Sequence, residues 1–303
     1  MAGSGVAPDH DQRKTRARLS LEGLSVGDAF GQCFFAFGTQ VLIAARTAPP
    51  APWQYTDDTT MALSIVEVLE QHGRIDQDAL AEAFARRYAR EPNRGYGATA
   101  HLILRAIGRG CPWREASAAA FGGEGSMGNG GAMRVGPLGA YFADDLDAVV
   151  QNARASAEVT HGHSEGQAGA IAVAVAAAVA GTLRGAGGAA GGQELIRAVI
   201  DRTPPGATRL GLSEALKLPF DASVRVATEV LGNGSRVCAF DTVPFAIWCA
   251  ARHLDSYEDA LWETVSGLGD RDTTCAIVGS IVAMAVPEQG VPAAWRRARE
   301  PLP

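Results

Sequence analysis

Apolar positions in this chain recur at helical spacing through most of its length. Ahead of His72, Ala62, Ile65, Val66 and Leu69 fall at i, i+3, i+4 and i+7, with Leu63 beside them, one face of a helix. The same periodicity predicts helices near 77–90, 97–108, 144–158, 167–183, 193–201, 222–231, 240–252, 257–266 and 274–286. β-branched residues are scattered, and no alternating apolar run is bounded by hairpin turns. The pattern is that of an all-α fold with its unusual residues in loops. Ala168–Leu183 is continuously apolar but rich in alanine and glycine, which suits a buried central helix better than a membrane span.

Two segments interrupt the periodicity with glycine. Gly185–Gly192 (GAGGAAGG) carries no polar chemistry and is expected to connect two helices. Phe121–Gly139 (FGGEGSMGNGGAMRVGPLG) mixes glycine with Ser126, Asn129 and Arg134. No internal repeat or linker is evident, so one domain is expected over 18–303. Residues 1–17 form a flexible lead-in, polar and basic at Arg13, Lys14 and Arg16, without the apolar stretch of a signal peptide.

Composition narrows the class. Hydrophobic residues make up 47% of the 303, enough for a large core, and the net charge of -6 gives no reason to expect general nucleic-acid binding. Five cysteines at 33, 111, 238, 249 and 275 lack metal-ligand spacing and are expected as free thiols of a cytoplasmic protein. No membrane association is expected, and a monomer is.

The candidate chemistry lies in two acidic clusters. Thr56-Asp57-Asp58-Thr59 precedes Met61–Leu69, and Asp270-Arg271-Asp272-Thr273 precedes Cys275–Val286. Helix capping accounts for one acid at each start and less well for two. Carboxylates this close repel unless a cation lies between them, and oxygen-only donors suit Mg²⁺, Mn²⁺ or Ca²⁺. The glycine-rich segment is either a closely packed loop or a cradle whose backbone N–H groups hold a diphosphate. It is neither a Rossmann fingerprint nor a P-loop. Arg94-Gly95-Tyr96-Gly97 is a weaker candidate cradle. His161-Gly162-His163, at a helix start, fits a cap or a ligand hydrogen bond better than a metal site. No Gly-x-Ser-x-Gly elbow is present.

Taken in order, the motifs resemble the ADP-ribosylglycohydrolase family, which includes dinitrogenase reductase-activating glycohydrolase and the ADP-ribosyl-acceptor hydrolases. The resemblance runs through Gly23-Leu24-Ser25-Val26-Gly27-Asp28-Ala29, Tyr55–Thr59, Arg94–Gly97, Ser126–Arg134, Thr160-His161 and Gly269–Thr273, over roughly 18–286. It implies an orthogonal helix bundle around two Mg²⁺ ions, with Mn²⁺ as an alternative. It implies Thr56, Asp57 and Asp58 on one ion, Asp270 and Thr273 on the other, and Asp272 bridging. ADP-ribose would lie across Gly95, Tyr96 and Gly97, then Phe121, Gly125, Ser126, Met127, Gly128 and Asn129, and His161. The reaction implied is hydrolysis at the anomeric carbon of the distal ribose, with a protein, a nucleic acid or a small molecule as the ADP-ribosylated partner.

Three positions depart from that pattern. Phe35 stands where the first motif usually ends in Glu, which removes the usual general base and leaves Glu91, Glu124, Asp57 and Asp58 as candidates. Arg271 stands where Thr or a small residue is common and is expected to meet substrate anions or to replace a metal charge. Met127 stands where some relatives stack an aromatic on adenine. An active hydrolase, a degenerate ADP-ribose-binding relative and a Mg²⁺-dependent hydrolase of another glycosidic bond all fit the sequence.

Overall fold

A computed structural model of the chain describes residues 9–185, 188–287 and 289–303. The described residues hold sixteen α-helices and no strand ladder, only two isolated bridges. In chain order these are α1 (His10–Gln32), α2 (Gln40–Ala44), α3 (Asp57–His72), α4 (Gln77–Arg90), α5 (Ala98–Gly108) and α6 (Trp113–Ala118). Next come α7 (Gly136–Tyr141), α8 (Leu146–Glu158), α9 (Ser164–Ala180), α10 (Ala189–Arg202) and α11 (Ala207–Lys217). The last are α12 (Val224–Leu231), α13 (Ala239–Arg252), α14 (Tyr257–Ser266), α15 (Arg271–Ala285) and α16 (Ala293–Ala298). The all-α expectation holds. The apolar stretch at 168–183 is α9, buried on all sides from Ala168 to Ala178, and no helix among the described residues is long and apolar enough to cross a membrane. All five cysteines are free.

The centre of the fold is an antiparallel pair, α1 and α15. Gly23, Gly27 and Gly31 recur at i+4 along one face of α1. A Cβ at each would overlap the carbonyl oxygen of Gly279, Cys275 and Arg271 in turn, and Gly279 meets Gly23 in the same way. Only glycine lets two helix backbones approach this closely. Buried hydroxyls fasten the seam: Ser20 donates to the Ser280 carbonyl at 2.9 Å, and Tyr257 donates to that of Gly23 at 2.6 Å. The antiparallel register sets the end of α1 beside the start of α15, so Asp28 comes level with Asp272.

The structure corrects the sequence reading in two places. The stretch expected as a flexible lead-in is helical from His10 onward, because Arg13 and Arg16 both pair with Asp144 and His10 bonds the Tyr141 hydroxyl at 2.6 Å. Residues 1–8 lie outside the described residues. Of the expected connector 185–192, Ala186 and Gly187 also lie outside them, and Ala189, Ala190, Gly191 and Gly192 belong to α10. There the missing side chain of Gly192 admits the Ala251 carbonyl and the Phe220 ring. Helices α1, α2, α6, α7, α11 and α16 were not anticipated. α7 forms within the glycine-rich segment, with Pro137 in its first turn and Gly139 against the Ala174 carbonyl.

The seam yields a paired test. Gly27→Ala should destabilise the protein by about 1–3 kcal/mol, the usual range for overpacking, although alanine is the better helix former. Gly108→Ala ends α5, with its nearest neighbour atom 3.9 Å away, and should change stability by no more than about 0.5 kcal/mol. Urea unfolding measures both. A Gly27→Ala protein as stable as the parent would contradict the close approach.

Candidate active site

Both acidic clusters begin helices, though only the first is capped by a side chain. Thr56 is the N-cap of α3, accepting from the Asp58 amide at 3.4 Å, with Asp57 and Asp58 in the first turn. Asp270 is the N-cap of α15, and Asp272 lies in its first turn. The two starts meet across Asp28 of α1. Carboxylate oxygens of Asp28, Asp58 and Asp272 lie within 4.8 Å of one another.

Asp28 plays a different part from the other two. It accepts from the Thr56 amide at 2.9 Å and hydroxyl at 2.8 Å, and from the Thr59 amide at 3.1 Å and hydroxyl at 2.5 Å. Those four donors occupy the lone-pair capacity of a carboxylate. Asp28 therefore staples the first turn of α3 to α1, where the helix dipole favours its charge. Asp58 is the reverse case. Its Oδ2 lies 3.0 Å from the Thr56 hydroxyl, whose single proton is already directed at Asp28, while its buried Oδ1 has no hydrogen-bond partner among the described residues. Asp272 Oδ1 accepts from the Thr273 amide at 2.9 Å, and Asp270 is held by Asn129 Nδ2 at 2.7 Å.

Burial makes this arrangement expensive without a cation. Burial raises the carboxyl pKa of Asp28 to about 6 and, with repulsion from Asp28 and Asp270, that of Asp57 to about 7. Asp58 and Asp272 are pushed well above the usual carboxylate range by burial and then by neighbouring acids, and Asp270 is raised by burial. The guanidinium beneath them, Arg134, is fully buried over the Phe84 ring at 4.4 Å. It bonds the Ser156 carbonyl and the Thr160 hydroxyl rather than a carboxylate, and burial lowers its pKa to about 9. Oxygen donors, mutual repulsion and the orphaned Asp58 Oδ1 together fit a divalent cation.

The glycine-rich segment arrives at this cluster through Asn129, which bridges Asp270 and the Thr242 hydroxyl. Its backbone is anchored by the Asn129 amide to the Val237 carbonyl at 3.1 Å and by the Ala239 amide to the Met127 carbonyl at 3.0 Å. Ser126 accepts from the Gly128 amide at 3.1 Å. Gly125, at φ +77°, sits where a Cβ would strike the backbone of Gly162 and His163. His161 lies under Gly128 and Gly130. Its Nδ1 bonds the Thr160 hydroxyl at 2.8 Å, and burial beside Arg134 lowers its pKa to about 3, so the ring is neutral. His163 caps α9 by accepting from the Glu165 amide at 3.0 Å. Phe121, at φ +53°, is exposed at the edge of this loop.

On the other side, the Asp57 amide donates to the Arg94 carbonyl at 2.7 Å, and Gly95 packs against Asp57. Gly97 precedes α5 as its N-cap. Tyr96 departs from the cradle reading: its side chain is buried against Tyr88 and His101, because the chain turns inward to start α5. Arg271 also departs from its expected role. It donates to the Phe34 carbonyl at 2.6 Å and lies over the Phe35 ring at 4.9 Å, occupied within the protein. Glu91 is bound to Arg94 at 2.8 Å, and Glu124 is exposed in the loop between Phe121 and Gly125. Sequence reasoning placed Asp28 in a motif but gave it no role. Its partners lie 28–31 residues away, so only the fold exposes it.

With this geometry in view, the chain can be set against known proteins. The family described as ADP-ribosylglycohydrolase matches residues 9–301. ADP-ribosylhydrolase ARH3 of Bos taurus is 32% identical, the match covering 94% of this chain and 89% of that protein. The Homo sapiens protein of the same name is 31% identical with the same coverage. Among solved structures, a chain of an ADP-ribosylglycohydrolase-related protein complex superposes with a TM-score of 0.67 at 24% identity, covering 96% of this chain and 94% of that one. At that identity the likeness speaks for the fold alone.

The raised carboxyl pKa values carry a signed consequence. A group that binds its proton more tightly when folded favours the fold at low pH and loses that contribution as pH rises through its folded pKa, here about 6 for Asp28 and about 7 for Asp57. In a chelator, Tm should fall as pH rises from about 5 to about 8. Divalent cation should recover it, more at the higher pH because ligation needs carboxylates. Scanning calorimetry with and without Mg²⁺ checks this; a Tm indifferent to both would contradict the cation reading.

Proposed function

From the premise that the chain belongs to the ADP-ribosylglycohydrolase family, we propose that it is a Mg²⁺-dependent (ADP-ribosyl)hydrolase acting at the anomeric carbon of the distal ribose. The observation that carries the reading is the buried carboxylate group with the unpartnered Asp58 Oδ1, lying between the Asn129 loop and the Arg94 loop. Thr56, Asp57, Asp58, Asp270, Asp272 and Thr273 would hold two divalent ions, with Asp272 shared. When bound, such ions fix the ribose hydroxyls and lower the pKa of a water.

The remaining work belongs to the chain. Asn129 aims Asp270, and Asp28 holds Thr56 and the first turn of α3 in place. The glycine loop offers backbone N–H groups to the diphosphate, as helix-start and nest geometries do. Neutral His161 supports that loop from below. ADP-ribosylhydrolase ARH3 relatives at about a third identity support the glycosidic chemistry.

Phe35 has no group that accepts a proton. The water's proton would therefore go to another acid, with Asp57, Asp58, Glu91 and Glu124 as the candidates. Loss of a positioned base typically lowers turnover about 10²–10⁴-fold, so slow hydrolysis with intact ADP-ribose binding is expected. A protein that binds ADP-ribose and never releases it from any linkage would instead be the binding relative that Phe35 also allows.

Release of ADP-ribose from defined linkages, with Mg²⁺ and with chelator, tests the reading. Asp272→Ala should lose at least about 10²-fold in release, together with most of the Mg²⁺-induced rise in Tm. Ser126→Trp should weaken ADP-ribose binding in calorimetry while leaving that rise unchanged. Release undiminished by chelator would refute the proposal.

A further inference from the structure

A buried arginine decides where a histidine proton sits beside the glycine loop. Arg134 is fully buried over the Phe84 ring, with Nη1 3.3 Å from the Met61 sulfur. A guanidinium can only donate. Its Nη2 donates to the Ser156 carbonyl at 3.1 Å and to the Thr160 hydroxyl at 2.9 Å. The Thr160 oxygen is therefore an acceptor on that side, and its one proton needs an acceptor elsewhere. Thr160 is buried, and the other polar atom its hydroxyl meets among the described residues is His161 Nδ1, at 2.8 Å. A proton on Nδ1 would leave the hydroxyl proton buried with nothing to bond, at the cost of its desolvation. Arg134, Thr160 and His161 thus form a chain in which each member donates to the next. The proton of the neutral ring is left on Nε2.

Nε2 faces the loop. A Cβ at Gly128 would lie 3.4 Å from it and one at Gly130 3.1 Å, so two missing side chains keep that edge of the ring clear. Among the described residues the ring bonds only Thr160, which leaves the Nε2 proton without a partner in the chain. Three amides of the loop are already committed: Gly125 to the Ala120 carbonyl, Gly128 to Ser126 Oγ and Asn129 to the Val237 carbonyl. An anion resting on the loop meets fewer backbone donors than its glycines suggest, and a side-chain donor beneath them makes up part of the difference.

Resting on the diphosphate cradle described above, we propose that Arg134 and Thr160 are positioning residues that hold His161 as its Nε2–H tautomer, a fixed neutral donor to a diphosphate oxygen on the Gly128–Gly130 face of the loop. Neither positioning residue touches the ligand; both act through the imidazole. The event is binding alone, in which no bond breaks and the proton stays on Nε2.

Nitrogen NMR of the full chain with isotope-labelled histidine reads the tautomer, the His161 signals being assigned by their loss in His161→Gln. The parent should show a bare Nδ1 and a protonated Nε2 before any ligand is added. ADP-ribose should move the Nε2 proton downfield and leave Nδ1 in place. Thr160→Val keeps the side-chain shape and removes the hydroxyl. It should lose the single tautomer and weaken ADP-ribose binding about 10- to 100-fold, the worth of a hydrogen bond to a charged group. Thr160→Ser should restore both. His161→Phe should bind more weakly than His161→Gln, which keeps an N–H donor. Should Thr160→Val fail to fold, the parent's tautomer and the comparison of the two His161 variants decide. A proton on Nδ1 in the parent, an Nε2 signal unmoved by ADP-ribose, or a folded Thr160→Val that binds as tightly as the parent would each overturn the assignment. A parent with no affinity for ADP-ribose would overturn it together with the cradle. A parent that binds with these signatures yet releases ADP-ribose from no linkage would refute the hydrolase reading and leave this assignment standing.

Discussion

The close approach of α1 to α15 is the constraint on which the rest depends. Side chains at Gly23, Gly27 or Gly31 would push the helices apart through the carbonyls of Gly279, Cys275 and Arg271. That separation would draw Asp28 away from Asp272 and, through the Thr56 and Thr59 bonds, shift the start of α3. Three helix ends from distant parts of the chain are thus fixed by the absence of three side chains. A rigid frame of this kind is what a multi-carboxylate site needs, since ligands must be held in place against their own repulsion.

That repulsion links stability to function. Asp28, Asp57 and Asp58 are buried and Asp270 and Asp272 half-buried, all pushed toward neutrality by desolvation, and the buried Arg134 guanidinium bonds carbonyl and hydroxyl oxygens instead. Without cations the cluster destabilises the fold once its carboxyls ionise. With cations bound, as the proposed function has it, the same charges would serve to hold a ribose. The glycine loop and the Arg94 loop reach the cluster from opposite sides, one through Asn129 on Asp270 and the other through the Asp57 amide and Gly95.

How much of this could be read from the sequence depended on distance along the chain. The α3 and α15 motifs were legible because paired acids directly precede apolar helical runs, and α4 and α14 fall at the expected bounds, 77–90 and 257–266. α1 was not legible, because its buried residues interleave Leu21, Leu24, Val26 and Phe30 with glycine, serine and alanine, which blurs the helical period. The bonds of Asp28 to Thr56 and Thr59, and of Asn129 to Asp270, stayed hidden because those partners are brought together by the fold. Tyr96 shows the reverse failure. A glycine-flanked tyrosine looks like a binding loop, yet the start of α5 turns it into the core beside Tyr88. Arg271 likewise reads as a free cation beside two acids until the fold places Phe34 and Phe35 against it.

The central claim is that this carboxylate cluster exists to hold divalent cations. Anomalous diffraction from crystals grown with Mn²⁺ tests it most directly. The account predicts strong peaks between Asp58 and Asp272, with Asp58 Oδ1 in the coordination shell and Asp28 still bonded to Thr56 and Thr59. An empty cluster in a protein that releases ADP-ribose at full rate in chelator would contradict it.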